Sequence, residues 1–204
     1  MHIVKSQAAI VGLVILSVLT LSPQQLHADA QSVVPMGALA DAADTFEKSR
    51  GGRVLEVRLA DTTGVPVFEA ALAKGNAVQY LRIESPSQDV TEIAVTSLPQ
   101  WLLNYRMEAY MRSAAKAKVA LGAAIRKAEN RDHAPAVDAG IAKPLSGTNA
   151  VLAYFVETLK GSKRQELAVD ATTGNLIENP NSLFEPHTPV ELAQRLAALA
   201  ALTP

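Results

Sequence analysis

Apolar and polar positions follow two rhythms along the chain, and the same order of rhythms occurs twice. Leu39, Ala42, Ala43 and Phe46 recur at helical spacing, as do Leu121, Ala124, Ile125 and Ala128. Gly51-Gly52 predicts the end of the first helix. Strand-like alternation comes next. Leu55, Val57 and Leu59 fall on one face and Glu56 and Arg58 on the other, and Val137, Ala139 and Ile141 echo the pattern. Second strands are expected near 67–73 and 153–160. Lys74-Gly75-Asn76 and Lys160-Gly161-Ser162 then predict tight hairpins with glycine at positive φ. Third strands direct Leu81 and Ile83, or Leu167 and Val169, to the core. Short fourth strands are expected near 90–94 and 175–178.

The two passages align at two neighbouring offsets. At 86 residues, Lys74-Gly75 falls on Lys160-Gly161, Leu81 on Leu167, Ile83 on Val169, Glu84 on Asp170 and Phe68 on Tyr154. Upstream the offset is 82: Leu39 falls on Leu121, Ala42 on Ala124, Glu56 on Asp138 and Leu59-Ala60 on Ile141-Ala142. The four-residue change lies near 62–65 and 145–149, where a turn absorbs an insertion. Helices beside antiparallel strands give an α+β class: two repeats of a helix packed on a four-stranded antiparallel sheet, joined by a helical linker. One wide sheet and two separate lobes both fit this pattern.

The most specific local signal is Asp170-Ala171-Thr172-Thr173-Gly174. Asp170 can accept backbone N–H groups ahead of it, and Gly174 can take the left-handed conformation that returns the chain into Leu176 and Ile177. A calcium loop is disfavoured, because the D-x-D-x-D-G ladder and its distant glutamate are missing. Three segments together resemble the PepSY domain family: Ala-Lys-Val-Ala-Leu-Gly-Ala-Ala-Ile at 117–125, Tyr154-Phe155-Val156-Glu157, and Val169-Asp170-Ala171-Thr172-Thr173-Gly174. Residues 117–180 are similar to one such unit and residues 37–95 to a degenerate copy. In that copy the closing turn, Glu84-Ser85-Pro86-Ser87-Gln88-Asp89, has no glycine. The resemblance implies an exported protein-binding module, often a regulator or inhibitor of a protease, and it carries no catalytic residues with it.

The N-terminus and the composition sharpen this expectation. Lys5, the apolar run 8–21, Pro23 and Ala28-Asp29-Ala30 have the layout of a secretory signal over residues 1–30, cleaved near Ala30 to give a periplasmic or secreted protein. An uncleaved signal that anchors the chain is the alternative. The chain has no cysteine, which excludes disulfides, thiolate zinc sites and a cysteine nucleophile. Nineteen basic against twenty acidic residues argue against nucleic-acid binding. No H-E-x-x-H, G-x-S-x-G, P-loop or G-x-G-x-x-G is present. No enzymatic activity and no cofactor are therefore expected.

Segments between and after the repeats are candidates for partner contact. A helical linker over 96–116 carries the single tryptophan, and Trp101, Tyr105, Tyr110 and Met111 form the candidate interaction surface. Packing of this helix between the repeats is the competing expectation. The tail, 181–204, opens a helix at Thr188-Pro189 with Glu191 completing a capping box. Glu129, Asp132, His133 and Asp138 cluster at a helix-to-strand junction, which reads as a solvated helix end more readily than as a metal site. Glu56 and Asp138 read as solvent-facing strand residues. The expected function is a non-enzymatic module for an exported or membrane protein such as a protease. The alternative is a periplasmic protein that binds a small ligand or metal ion, motivated by the recurrent acids.

Overall fold

The computed structural model describes residues 34–61, 65–75, 77–84, 89–97, 105–142 and 151–184. The expected signal segment, Trp101 and the helix expected after Thr188 lie outside them. Helix α1 (Ala38–Arg50) leads into strands β1 (Arg53–Asp61), β2 (Val67–Lys74), β3 (Ala77–Glu84) and β4 (Val90–Ser97). Helices α2 (Tyr105–Lys116) and α3 (Leu121–Asp132) follow, then β5 (Ala136–Ile141), β6 (Ala153–Lys160), β7 (Lys163–Asp170) and the short β8 (Leu176–Ile177). The protein is α+β. Its strands form one antiparallel sheet of eight, in the order β4-β3-β2-β1-β5-β6-β7-β8. Of the two arrangements compatible with the sequence, the single sheet is the one formed.

The helices form where the apolar spacing requires. Helix α1 buries Leu39, Ala42, Ala43 and Phe46, and α3 buries Leu121, Ala124, Ile125 and Ala128. These stripes meet Val57, Phe68, Leu72, Leu81, Tyr154, Val156 and Val169 of the sheet in one core. Each large side chain buried there contributes about 1.5–3 kcal/mol. The two helices also pack on each other. Gly122 permits the approach: a Cβ there would stand 3.0 Å from the Ala40 carbonyl oxygen and would collide with the Asp44 carboxylate. Arg126 ties the exposed edge of this contact to Asp41 at 2.6 Å and Asp44 at 2.8 Å.

Several local features recur at the sequence offset. Glu47 Oε1 accepts the Val54 N–H at 3.0 Å, and Glu129 Oε1 accepts the Ala136 N–H at 2.9 Å. In each case a glutamate in the last turn of a helix holds the start of the following strand. Both strands then bulge, between Val54 and Glu56 and between Ala136 and Asp138. Both helices end on a residue at positive φ, Gly51 at φ 64° and His133 at φ 54°. The hairpin glycines Gly75 and Gly161 have φ of 59° and 66°.

Some boundaries differ from expectation. Helix α2 is described from Tyr105 to Lys116, within the linker expected at 96–116. The first fourth strand is longer than expected, reaching Ser97, whereas its counterpart has two residues. None of the described helices is long and apolar enough to cross a membrane.

The turn after β7 matches its predicted chemistry. Asp170 Oδ1 accepts the N–H groups of Thr172 at 2.7 Å and Thr173 at 2.9 Å, and Gly174 N–H reaches the Asp170 carbonyl at 2.8 Å. Gly174 sits at φ 76°. A β-branched residue is strained in that region, so Gly174→Val should lower stability by about 1–2 kcal/mol. Thermal unfolding checks this, and an unchanged melting temperature would refute the role given to the turn.

Candidate functional site

Of the four residues expected to form an interaction surface, Tyr105, Tyr110 and Met111 lie on α2, and Trp101 lies outside the described residues. Met111 is half-buried against the main core, and Ala114 and Ala117 are buried. Helix α2 packs against β1 and β5. Arg53 holds its end by donating from Nη2 to the Ala117 carbonyl at 3.3 Å. The C-terminal half of α2 is thus seated on the body, which follows the packing expectation for that half. Side-chain positions for Tyr105 and Tyr110 lie outside the description, as does Trp101.

The sheet face opposite α1 and α3 carries the unusual electrostatics. Residues directly opposite in an antiparallel pair share a face. One row therefore runs Tyr80, Ala71, Glu56, Gly140, Phe155, Ala168. The next runs Arg82, Glu69, Arg58, Asp138, Glu157, Glu166. The sequence places Glu56 and Asp138 in solvent. The structure corrects this: Glu56 is 8% exposed and Asp138 4%. Strict alternation signals a wet face only when that face is left uncovered. Here Phe184 lies with Phe155, Ala142, Ala153 and Ala168 in a second apolar cluster on the same side.

Burial, and then the charge of Asp138, push the Glu56 carboxyl up to about 8, with Arg58 pulling the other way. The Tyr80 phenol is also raised, mainly by burial and further by Glu56. Arg58 meets Glu69 at 3.0 Å, and Arg164 meets Glu157 at 2.8 Å.

The acids at the end of α3 do structural work. Glu129, 2% exposed, accepts from Ala136 N–H and, through Oε2, from Gly37 N–H at 2.9 Å. It is not the solvated helix end that sequence suggests. Burial raises its carboxyl and the two backbone donors oppose that rise. Asp132 accepts from Thr158 Oγ1 at 2.5 Å, and Lys160 donates to the Asp132 carbonyl at 3.2 Å. His133 closes the helix in the left-handed conformation, and Asp138 projects from the sheet two residues into β5. Among the described residues, no group of three or more His, Asp or Glu side chains is placed to hold a metal ion. Sequence reasoning missed the pairing of Glu47 with Glu129. Its signal was available, since the two are separated by the same 82 residues as Glu56 and Asp138.

No protein-family model matches the chain, and no curated protein matches it. Among solved structures, a putative lipoprotein from Clostridium difficile 630 is similar, at 16% identity over 68% of this chain and 88% of that one, with a TM-score of 0.44.

Proposed function

We propose that this chain is a tandem of one helix-plus-four-strand unit, similar to the PepSY domain, and that it acts outside the cytoplasm as a non-enzymatic binder of another protein. The observation that carries the tandem reading is the recurrent glutamate link. Glu47 to Val54 and Glu129 to Ala136 share side chain, donor spacing and sequence offset. The pairing of β1 with β5 supports it too. Val57 and Ala139, matched at the offset of 82, lie opposite each other, so a pseudo-twofold axis passes between them.

The binding role rests on the family resemblance and on how the candidate acids are used. Glu129 holds backbone N–H groups and Asp132 holds Thr158, as structural acceptors. The partner expected is an exported or membrane protein such as a protease, and the signal segment would place the mature chain in the periplasm or outside the cell.

The test is capture of a specific partner from periplasmic extract by the full mature chain and by Trp101→Ala. The proposal expects a retained protein that the variant loses about tenfold, at an unchanged melting temperature. A large drop in melting temperature for the variant would make Trp101 part of the core and remove it from the interface. A melting temperature raised by a metal or small ligand, with no protein retained, would favour the ligand-binding alternative, since a ligand specific to the folded state stabilises it.

A further inference from the structure

The middle of the sheet is its narrow joint. β1 and β5 match over three residue pairs, Glu56–Gly140, Val57–Ala139 and Arg58–Asp138. On either side, β2 and β3 match over eight pairs, and so do β6 and β7. The helix side of the joint is closed by core residues. On the other side Asp138 stands opposite Arg58, and Glu56 stands one step along the same face. Diagonal neighbours across an antiparallel pair are within side-chain reach.

Among the described residues, the charged and titratable groups around Glu56 come from several elements. Asp138 comes from β5 and Arg58 from β1 itself. Arg58 is shared with Glu69 of β2. Tyr80 comes from β3, reaching across Ala71, and its hydroxyl is buried without a hydrogen-bond partner among the described residues. Helix α1 lies on the other face of the sheet, and its Glu47 is committed to the Val54 N–H and to Arg53. Helix α2 carries Arg112 and Lys116, both exposed. Arg58 thus acts on the buried Glu56 while it is ion-paired to Glu69.

We propose that the Glu56–Asp138 pair makes the β1–β5 joint proton-controlled: with Glu56 protonated the two halves of the sheet are locked together, and loss of that proton loosens the joint while each half stays folded. The direction follows from the raised carboxyl. Glu56 binds its proton more tightly in the closed sheet than in water. Its stabilisation is complete below its ordinary value of 4.5 and is lost as pH rises through about 8.

Hydrogen exchange of the full chain, corrected for intrinsic rates, tests this from about pH 5 to about pH 9.5. Opening of amides in β1 and β5 should rise by up to about tenfold per pH unit between about pH 5 and about pH 8 and level off above that, while amides in β2, β3, β6 and β7 change less than about twofold. Glu56→Gln should flatten the response, and Asp138→Asn should reduce its amplitude. An equal response in Glu56→Gln and the natural chain would overturn the proposal. So would an equal acceleration in every strand, which would mean whole-chain unfolding. Should Glu56→Gln fail to fold, carbon-detected titration of Glu56 in the natural chain decides, and a midpoint below about 6 overturns the joint.

Discussion

Glu129→Ala should lower the unfolding free energy by about 3–5 kcal/mol. The figure comes from two donors left behind. Ala136 N–H, at the start of β5, and Gly37 N–H, at the start of α1, each bond a different oxygen of this carboxylate at 2.9 Å. A buried donor stripped of its partner costs about 1–3 kcal/mol, and alanine strips two. The Ala136 N–H is buried together with Glu129, which is 2% exposed, so water does not repair that bond, whereas Gly37 is half-buried. Loss of the packed side-chain methylenes adds to the cost.

The effect is also architectural, because Gly37 lies 92 residues away. One side chain couples the end of α3 to its own following strand and to the first helix of the chain. Glu129→Gln is the informative companion. Its single amide oxygen can keep one donor, while its NH2 group faces the other, so its loss should fall between natural chain and alanine. Glu47→Ala supplies an internal comparison. Glu47 holds one backbone donor and an ion pair with Arg53 at 3.6 Å, with 18% of its side chain exposed. It should cost about 1–2 kcal/mol. Denaturant unfolding at neutral pH ranks the three. A loss under about 1 kcal/mol for Glu129→Ala would show that the two donors find other partners.

Much of the fold was legible because it is local. The helical spacing of Leu39 to Phe46 and of Leu121 to Ala128 places buried stripes where α1 and α3 have them. Lys-Gly at 74 and 160 and Asp170 with Gly174 specify turns through the chemistry of a few adjacent residues. What stayed hidden depends on partners far along the chain. The pairing of β1 with β5 rests on three residue pairs some 80 positions apart, and no local pattern announces it. Glu56 and Asp138 look solvent-facing because alternation counts polar residues without knowing whether their side of the sheet is covered.

Glu129 looked solvated because an acid at a helix end usually is. It is buried here because two backbone donors from distant segments converge on it.

Gly140→Val should produce the other large loss, about 3 kcal/mol, and it tests the joint from the side of packing rather than charge. Gly140 lies opposite Glu56 in the central pair. A Cβ built on it would stand 2.7 Å from the Leu55 carbonyl oxygen and 3.1 Å from two ring atoms of Phe155. The first contact is with backbone, at the bulge that sets Leu55 out of register between Val54 and Glu56, so it cannot be relieved by turning a side chain. The second is with an aromatic ring that lies over the glycine and covers its bare backbone. That ring is held in turn by Ala153, Ala168 and Phe184.

Valine would therefore push β1 and β5 apart and lift Phe155 away from Phe184 in a single step. Gly140→Ala separates the two causes. If the ring is the main obstacle, Gly140→Ala combined with Phe155→Leu should lose less stability than the sum of the two single changes, by more than about 0.5 kcal/mol. If the Leu55 carbonyl dominates, the two losses should simply add. Thermal and denaturant unfolding measure both. A Gly140→Val protein that melts with the natural chain would mean that β1 and β5 can part at this pair at no cost, and the close approach seen at the joint would then contribute nothing to stability.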